Sequence, residues 1–470
     1  MLIQHSRSIV STYYQPEALY FKGGFATDSG LFVDSAGKIN PGATGRESVA
    51  QTVSFHRRAL LPGLVNVHSH SFQRLIRGKS ESRTTSGKDF WSWRGTMYHA
   101  AAQLSPQDVY DVARMTFLEM AHAGITTVGE FHYLHNTPDG RPYDDPNLLG
   151  RQVIDAAQSV GIRIVLLRSA YFRSGYEVPA DPGQTRFFEN TKDFLANTEA
   201  LISAYHDESS QVQIGIAPHS IRAVPLKDLR ELTAWANAKR IPVHMHVSEQ
   251  VAENAACQAE YGATPITLLV REGLLTSDTT AVHATHITDE EIRMMADAGA
   301  MICACPTTER NLGDGILSAD RAIRAGVHIA FGTDSQAQID LLEDARELDY
   351  HLRLRHQERA VLDQIHEEPI ASRLLNCATI SGAQSLGVAA GEFADEAYGD
   401  FFTVDLDHPS IAGNSPKDLL SILIFGLEPS AIRDVAVNGR LIIRDGKHAL
   451  EEEIIARYKE VYRKVWEKRL

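Results

Sequence analysis

Positive charge is in short supply in this sequence. Lysine and arginine number 46 against 60 aspartate and glutamate, a formal net charge of −14. That balance argues against nucleic acid or an anionic membrane as the main partner. Long apolar runs are missing too: none reaches the roughly 18 residues needed to span a bilayer. Residues 1–8 lack the charged-then-apolar order of a secretory leader, so none is expected. Cysteine is scarce, with four in 470 residues, which does not make a disulfide framework and points to the cytoplasm. Two of them, Cys303 and Cys305, sit two apart in a strand-like run and read as core packing. Low-complexity tracts are absent. The length allows two or three domains, or one large barrel with an appendage.

What the chain does have is histidine, 20 of them, placed in a pattern. The run 61–70 is apolar with alternating valines, reads as a buried strand, and ends in His68-Ser69-His70. Residues two apart on a strand point the same way, so His68 and His70 project together from its end. After it the pattern strand, loop, helix repeats. Further strands read at 126–132, 163–167, 212–217, 242–247, 280–283, 300–305 and 327–334. Helices are predicted from Pro106, with Ser105 as N-cap and Gly124 closing, and over 226–239 and 289–298. The segment 71–103, rich in Gly, Ser and aromatics, reads as a long loop. Eight strands alternating with helices predict an α/β fold, a parallel (β/α)8 TIM barrel, over residues 59–389. Residues 1–58 and 390–448 carry short β runs, with Asn438-Gly439 as a hairpin turn. They are expected to pair into one small β-sandwich domain built from both chain ends. Residues 449–470 read as a charge-rich amphipathic helix.

Barrel enzymes keep their chemistry at the C-terminal ends of the strands. Strand one ends with His68 and His70. Strand five gives His244, His246 and then Glu249; strand six gives His283; strand eight gives Asp334. Imidazoles with a carboxylate, one set per strand end, suit a borderline divalent metal.

On these residues the chain resembles the amidohydrolase superfamily. His-x-His on strand one, His on strands five and six and Asp on strand eight carry the likeness. Strand four ends Ala217-Pro218-His219 and lacks the bridging Lys of binuclear members, so one metal is expected. His246-Val247-Ser248-Glu249 matches the His-x-x-Glu of the deaminase branch. Five stretches narrow the likeness to the deiminases that act on N-formimino-L-glutamate. They are residues 68–74, Phe90-Trp91-Ser92-Trp93-Arg94, Glu130-Phe131-His132-Tyr133, His283-Ala284-Thr285-His286 and Asn311-Leu312-Gly313-Asp314-Gly315. The resemblance implies that His68, His70, His246 and Asp334 bind zinc, with Fe2+ the alternative. It implies catalytic roles for Glu249, His283 and Asp334. It assigns Gln73, Arg94, Tyr133, His219 and Arg222 to the substrate. Two positions depart from the family pattern: Gln336 where His is usual, and Arg310 where Ala is usual. Both are candidates for the pocket border.

The chemistry of the residues agrees. A substrate with two carboxylates needs local cations in a protein this acidic, and Arg94 and Arg222 can each grip a carboxylate bidentately. A bound metal would lower the pKa of water; Asp334 is expected to take the water's proton, His283 to steady the attack on the amidine carbon, and Glu249 to shuttle protons to the departing ammonia. His244 is read as structural. The expected partners are a small-molecule substrate and a second copy of the chain in a homodimer. The competing readings are a mononuclear relative acting on a heterocycle, such as a guanine or cytosine deaminase or an imidazolone-opening enzyme, and a barrel that only binds.

Overall fold

A computed structural model of the chain describes residues 10–40, 49–81, 90–206, 211–413 and 415–467. The leader reading of residues 1–8 lies outside the described residues, as do positions 82–89 and the side chains of 90–92. Eight parallel strands follow one another in chain order: Leu64–Ser69, Ile125–His132, Arg163–Ala170, Val212–Pro218, Val243–Val247, Thr279–His283, Met301–Ala304 and Ile329–Phe331. Each pairs with its successor in sequence. A parallel bridge between Ser69 and Asp334 joins the last strand's end to the first. There the Asp334 amide donates to His68 O at 3.0 Å and the His70 amide to Asp334 O at 3.1 Å. The TIM barrel thus closes at the mouth where its histidines stand.

The second and third barrel strands are buried at every position. That is what a parallel sheet covered on both faces demands, and apolar runs such as residues 164–167 follow from it, while the polar residues Glu130, Arg163 and Arg168 are buried with them. The helix Pro106–His122 starts as the sequence predicts. The Ser105 hydroxyl accepts from the Asp108 amide, and the Asp108 carboxylate accepts from the Ser105 amide at 2.8 Å. Helices Leu226–Lys239 and Asp289–Ala298 also stand where expected.

The run 61–70 is not one strand. Leu61 and Pro62 end a twelve-residue strand, Gln51–Pro62, that belongs to a second sheet; the barrel begins at Leu64. Gly63 is the crossing point. Its amide bonds Asp400 O at 3.0 Å in the second sheet, while the Leu64 amide bonds Gly124 O at 3.0 Å in the barrel. A Cβ at position 63 would collide with the Thr126 side chain, so glycine alone fits.

The second sheet has eight strands drawn from both chain ends. Gln51–Pro62 pairs antiparallel with Phe401–Asp405, which pairs with Ile432–Val437. Side-chain alternation divides its two faces. Ala59, Leu61, Phe402 and Val435 turn to the barrel core, while Leu60, Phe401 and Ala436 join Tyr14, Val33 and Phe55 in a small separate core. The hairpin into Arg440–Arg444 turns at Asn438 and Gly439, with φ of +51° and +70°, the left-handed pair that a type I′ turn requires. The helix Glu451–Trp466 lies against Pro106–His122, where Arg114 grips Glu453 through two bonds of 2.9 and 2.6 Å. Among the described residues no helix is long and apolar enough to cross a membrane.

Candidate active site

His68, His70, His246 and Asp334 converge. Each offers one ligand atom, and the four atoms lie within 4.8 Å of one another. His68 Nε2 is 3.3 Å and His70 Nε2 3.4 Å from Asp334 Oδ1, and His246 Nε2 is 3.2 Å from His68 Nε2. The backbone orients two of the rings. His70 Nδ1 donates to Phe131 O at 2.8 Å, and His246 Nδ1 donates to His219 O at 3.0 Å. Each therefore presents a bare Nε2 lone pair to the centre. Burial holds all three imidazoles below their ordinary range, His68 down at about 3, so they stay neutral and able to ligate. Burial alone would raise Asp334, but its hydrogen bond to His68 and the surrounding imidazoles outweigh that and hold it well below the carboxylate range. Neutral nitrogens converging on one carboxylate in a dry site fit a divalent cation.

Backbone strain collects here. Ser248, His283, Ala284, Asp334 and Gln336 all have left-handed φ, from +45° to +70°. Each costs on the order of 1–3 kcal/mol and persists only because its surroundings fix it. Gly332 leaves room beneath: a Cβ there would lie 2.6 Å from His68 Cβ.

Beside the cluster, His283 ends strand six. Its Nδ1 is 3.3 Å from Glu309 Oε1, and its Nε2 is 3.8 Å from both Glu249 Oε1 and Asp334 Oδ2. Burial would strip its proton, but Glu249, Glu309 and Asp334 together hold its pKa well above the usual value. Burial pushes the Glu249 carboxyl up, and the His283 charge works against that. His283 thus stands within 3.8 Å of three carboxylates, Glu249, Glu309 and Asp334, a set able to move protons. Glu309 escaped the sequence reading, since it lies on a short helix, Pro306–Leu312, that follows the strand carrying the two cysteines. Cys303 and Cys305 are buried beneath, and burial keeps the Cys305 thiol well above its usual range.

A cleft of about 60 Å³ opens over these groups. Gln73, Arg94, Tyr133, His219 and Arg222 all line it, together with His70, His246, Glu249, His283 and Asp334. His68 lies beneath. Gln73 Nε2 donates to the Tyr133 hydroxyl at 2.7 Å, while its buried Oε1 has no partner among the described residues. Arg222 Nη1 donates to Ser174 O at 3.0 Å and to the Tyr171 hydroxyl at 3.2 Å. His219 does two things: its carbonyl orients His246, and its ring faces the cleft, kept neutral by burial.

Three expectations change. Arg94 is not in a loop but on the helix Phe90–Ala101, with its guanidinium 5.3 Å from the Tyr98 ring and 3.7 Å from Asp181 Oδ2. That helix is built from aromatics, Gly95 and Thr96, modest or poor helix formers, so propensity hides it. Gln336 does not border the cleft: it is wholly buried behind Ser69, to whose hydroxyl its Nε2 donates at 3.0 Å. Arg310 points outward and pairs with Glu347 at 2.6 Å. His244, one layer deeper than His246, donates to Ser385 O at 3.0 Å and takes no part in the cluster. Sequence reading missed the aromatic part of the lining, Trp93, Tyr98, Tyr171 and Phe187. Tyr171, the first residue past strand three, had a positional signal in standing at a strand end.

A closed parallel barrel with a His-His-His-Asp cluster at its C-terminal mouth defines a metal-binding hydrolase. The chain belongs to the amidohydrolase family, whose sequence pattern matches residues 59–442. It is 36% identical to a formimidoylglutamate deiminase of Pseudomonas aeruginosa over 395 residues, 84% of this chain and 86% of that one. It is 28% identical to an 8-oxoguanine deaminase of the same organism, over 92% of this chain and 93% of that one. Among solved structures, an amidohydrolase from Brucella melitensis superposes with a TM-score of 0.88 at 30% identity, covering 97% of this chain and 99% of the other. An atrazine chlorohydrolase from Arthrobacter aurescens TC1, complexed with zinc, shares the fold at a TM-score of 0.83 and 23% identity, over 96% of this chain and all of its own. The protein is an enzyme of the deiminase and deaminase type.

Proposed function

We propose that this enzyme hydrolyses the amidine of N-formimino-L-glutamate, giving N-formyl-L-glutamate and ammonia, a step of histidine degradation. The observation that carries the reading is the placing of two arginines, Arg94 and Arg222, on the lining of the cleft that also holds Glu249, His283 and Asp334. The substrate is a dianion with one reacting amidine. Two guanidiniums match two carboxylates, and a neutral heterocycle has no use for them. The 36% identity to a formimidoylglutamate deiminase points the same way.

His68, His70, His246 and Asp334 would hold one divalent ion, taken here as zinc, since strand four ends in Pro218-His219 with no bridging Lys. When bound, such an ion supplies Lewis-acid activation of water at neutral pH. Asp334 accepts the proton of the attacking water. His283, fixed through Nδ1 by Glu309, turns its Nε2 to the cleft and steadies the charge that develops as water adds to the amidine carbon. Glu249, 3.8 Å from that Nε2, hands protons to the imine nitrogen until it leaves as ammonia. The unpartnered Gln73 Oε1 accepts from a substrate N–H, with Tyr133 holding the amide in place.

The test is an ammonia-release screen on N-formimino amino acids and on purine and pyrimidine bases, with metal content measured on the same sample. Turnover of N-formimino-L-glutamate above the others is expected, with one ion per chain. Release of ammonia from a base alone replaces the reading with a heterocycle deaminase, and two ions per chain at full activity replaces the mononuclear site.

A further inference from the structure

The wall of the cleft away from the metal cluster contains a hydrogen-bond arrangement that the roles above leave unused. Gln184 is wholly buried, and its Nε2 donates to two phenol oxygens, Tyr98 Oη and Tyr171 Oη, each at 2.6 Å. Its Oε1 accepts from the Ser174 hydroxyl at 2.7 Å. The orientation of this amide follows from Ser174. That hydroxyl already accepts from the Asp181 amide at 2.9 Å, so its hydrogen needs an acceptor, and the Gln184 oxygen is the one at hand.

The consequence falls on the tyrosines. Tyr171 Oη accepts from Gln184 and from Arg222 Nη1, which occupies both its lone pairs. Its hydroxyl hydrogen is left with no acceptor among the described residues. Tyr98 Oη likewise accepts from Gln184, and its hydrogen has no acceptor among them. Buried donors in folded proteins are seldom left unmade. Both rings line the cleft, and Arg94 and Arg222 stand beside them. Two phenol hydrogens therefore face one small space flanked by two guanidiniums, and an anion is what accepts from both phenols in so positive a setting.

Position selects which anion. Tyr133 lies directly on the metal ligand His70, with ring centroids 5.0 Å apart. Tyr171 is one ring further away: it contacts His219 at 4.7 Å, and His219 contacts His246 at 4.7 Å. In N-formimino-L-glutamate the α-carboxylate is close to the reacting amidine and the side-chain carboxylate is far from it. We propose that the hydroxyls of Tyr98 and Tyr171, aimed by Gln184, donate to the side-chain carboxylate of the substrate beside Arg222 and so set its chain length and charge. This rests on the substrate reading given above.

The experiment compares Tyr171→Phe and Tyr98→Phe on two probes, N-formimino-L-glutamate and N-formimino-L-norvaline, whose side chain has no carboxylate. Each variant should lose roughly tenfold or more in kcat/KM on the glutamate probe, mostly through KM, because a hydrogen bond to a charged group is removed. On the norvaline probe each should match the wild type within about twofold. Equal losses on both probes would mean that the hydroxyls support the fold, and the inference falls. No loss on either probe overturns it as well. If the wild type does not turn over the glutamate probe, the substrate reading itself has failed, and this inference with it. An active wild type with an unchanged Tyr171→Phe defeats the inference alone.

Discussion

The two walls of the cleft are built differently. On one wall stand His68, His70, His246, His283 and Asp334, each at or just past the end of a barrel strand, tied to backbone carbonyls, carboxylates and neighbouring rings. On the other stand Arg94 and Tyr98 from the helix Phe90–Ala101, Tyr171 just past strand three and Arg222 just past strand four. The first wall carries imidazoles and a carboxylate, with His68, His70 and His246 kept neutral by burial; the second carries cations and phenols. On the function proposed above, the first wall would carry the reaction and the second the choice of substrate. That division explains how relatives named for different substrates share one fold.

The sharpest way to break the comparison is to remove a group from the first wall. His246→Ala takes away one of the four proposed ligands and the ring that contacts His68, His70 and His219. Bound metal should be lost, and turnover should fall by roughly 10³-fold or more, since Lewis-acid activation is worth several kcal/mol. Elemental analysis beside a rate assay measures both. A variant that keeps its ion would show that the remaining three ligands suffice.

Glu249→Gln comes next. The amide keeps the shape and cannot shuttle a proton. Turnover should drop by roughly 10²-fold or more with metal content unchanged and KM little altered. Near wild-type turnover would remove Glu249 from the proton path.

The sequence shows the first wall far better than the second, for a physical reason. A parallel strand buried on both faces leaves an unbroken apolar run, and a His or Asp at its end breaks that run visibly. His68, His70, His246, His283 and Asp334 were readable in this way. So were the helix starting at Pro106, with its Ser105 cap, and the Asn438-Gly439 turn, because caps and turns are local chemistry. The crossing at Gly63 was not, because the run on both sides of it is apolar and only the Thr126 side chain marks where one sheet stops. On the second wall nothing is periodic. Tyr98 and Tyr171 share Gln184 as a hydrogen-bond partner, 86 and 13 residues away in the chain. Residue type alone does not reveal such a meeting.

Arg222→Met and Arg94→Met test the second wall without touching the first. Losing a charge-assisted contact costs about 2–3 kcal/mol, or roughly one to two decades in kcat/KM on N-formimino-L-glutamate. Metal content should not change, because neither arginine belongs to the cluster. The loss should shrink on a neutral amidine without carboxylates. Equal losses on both substrates would make these arginines supports of the fold and withdraw the dianion assignment.

The smallest effect should come from Gln336→His, at a position behind the first wall where the family resemblance leads to an expected histidine. Gln336 is wholly buried, and its Nε2 donates to Ser69 Oγ at 3.0 Å and to Asp334 O at 2.9 Å. Its Oε1 accepts from Thr333 Oγ1 at 2.9 Å. It therefore touches the backbone of Asp334, a proposed metal ligand, and, among the described residues, forms no hydrogen bond to the cleft lining on the arginine side. Histidine tolerates the left-handed φ of +61° found there, but offers one donor and one acceptor where the amide makes three bonds. A buried group left short of one partner costs about 1–3 kcal/mol of stability. The ratio of kcat/KM between N-formimino-L-glutamate and its norvaline analogue should stay within about twofold, because no substrate contact changes. Thermal unfolding and the two rates on one preparation decide it. A tenfold shift in that ratio at full metal content would mean that the residues behind the metal reach the substrate, and the division between the two walls would not hold.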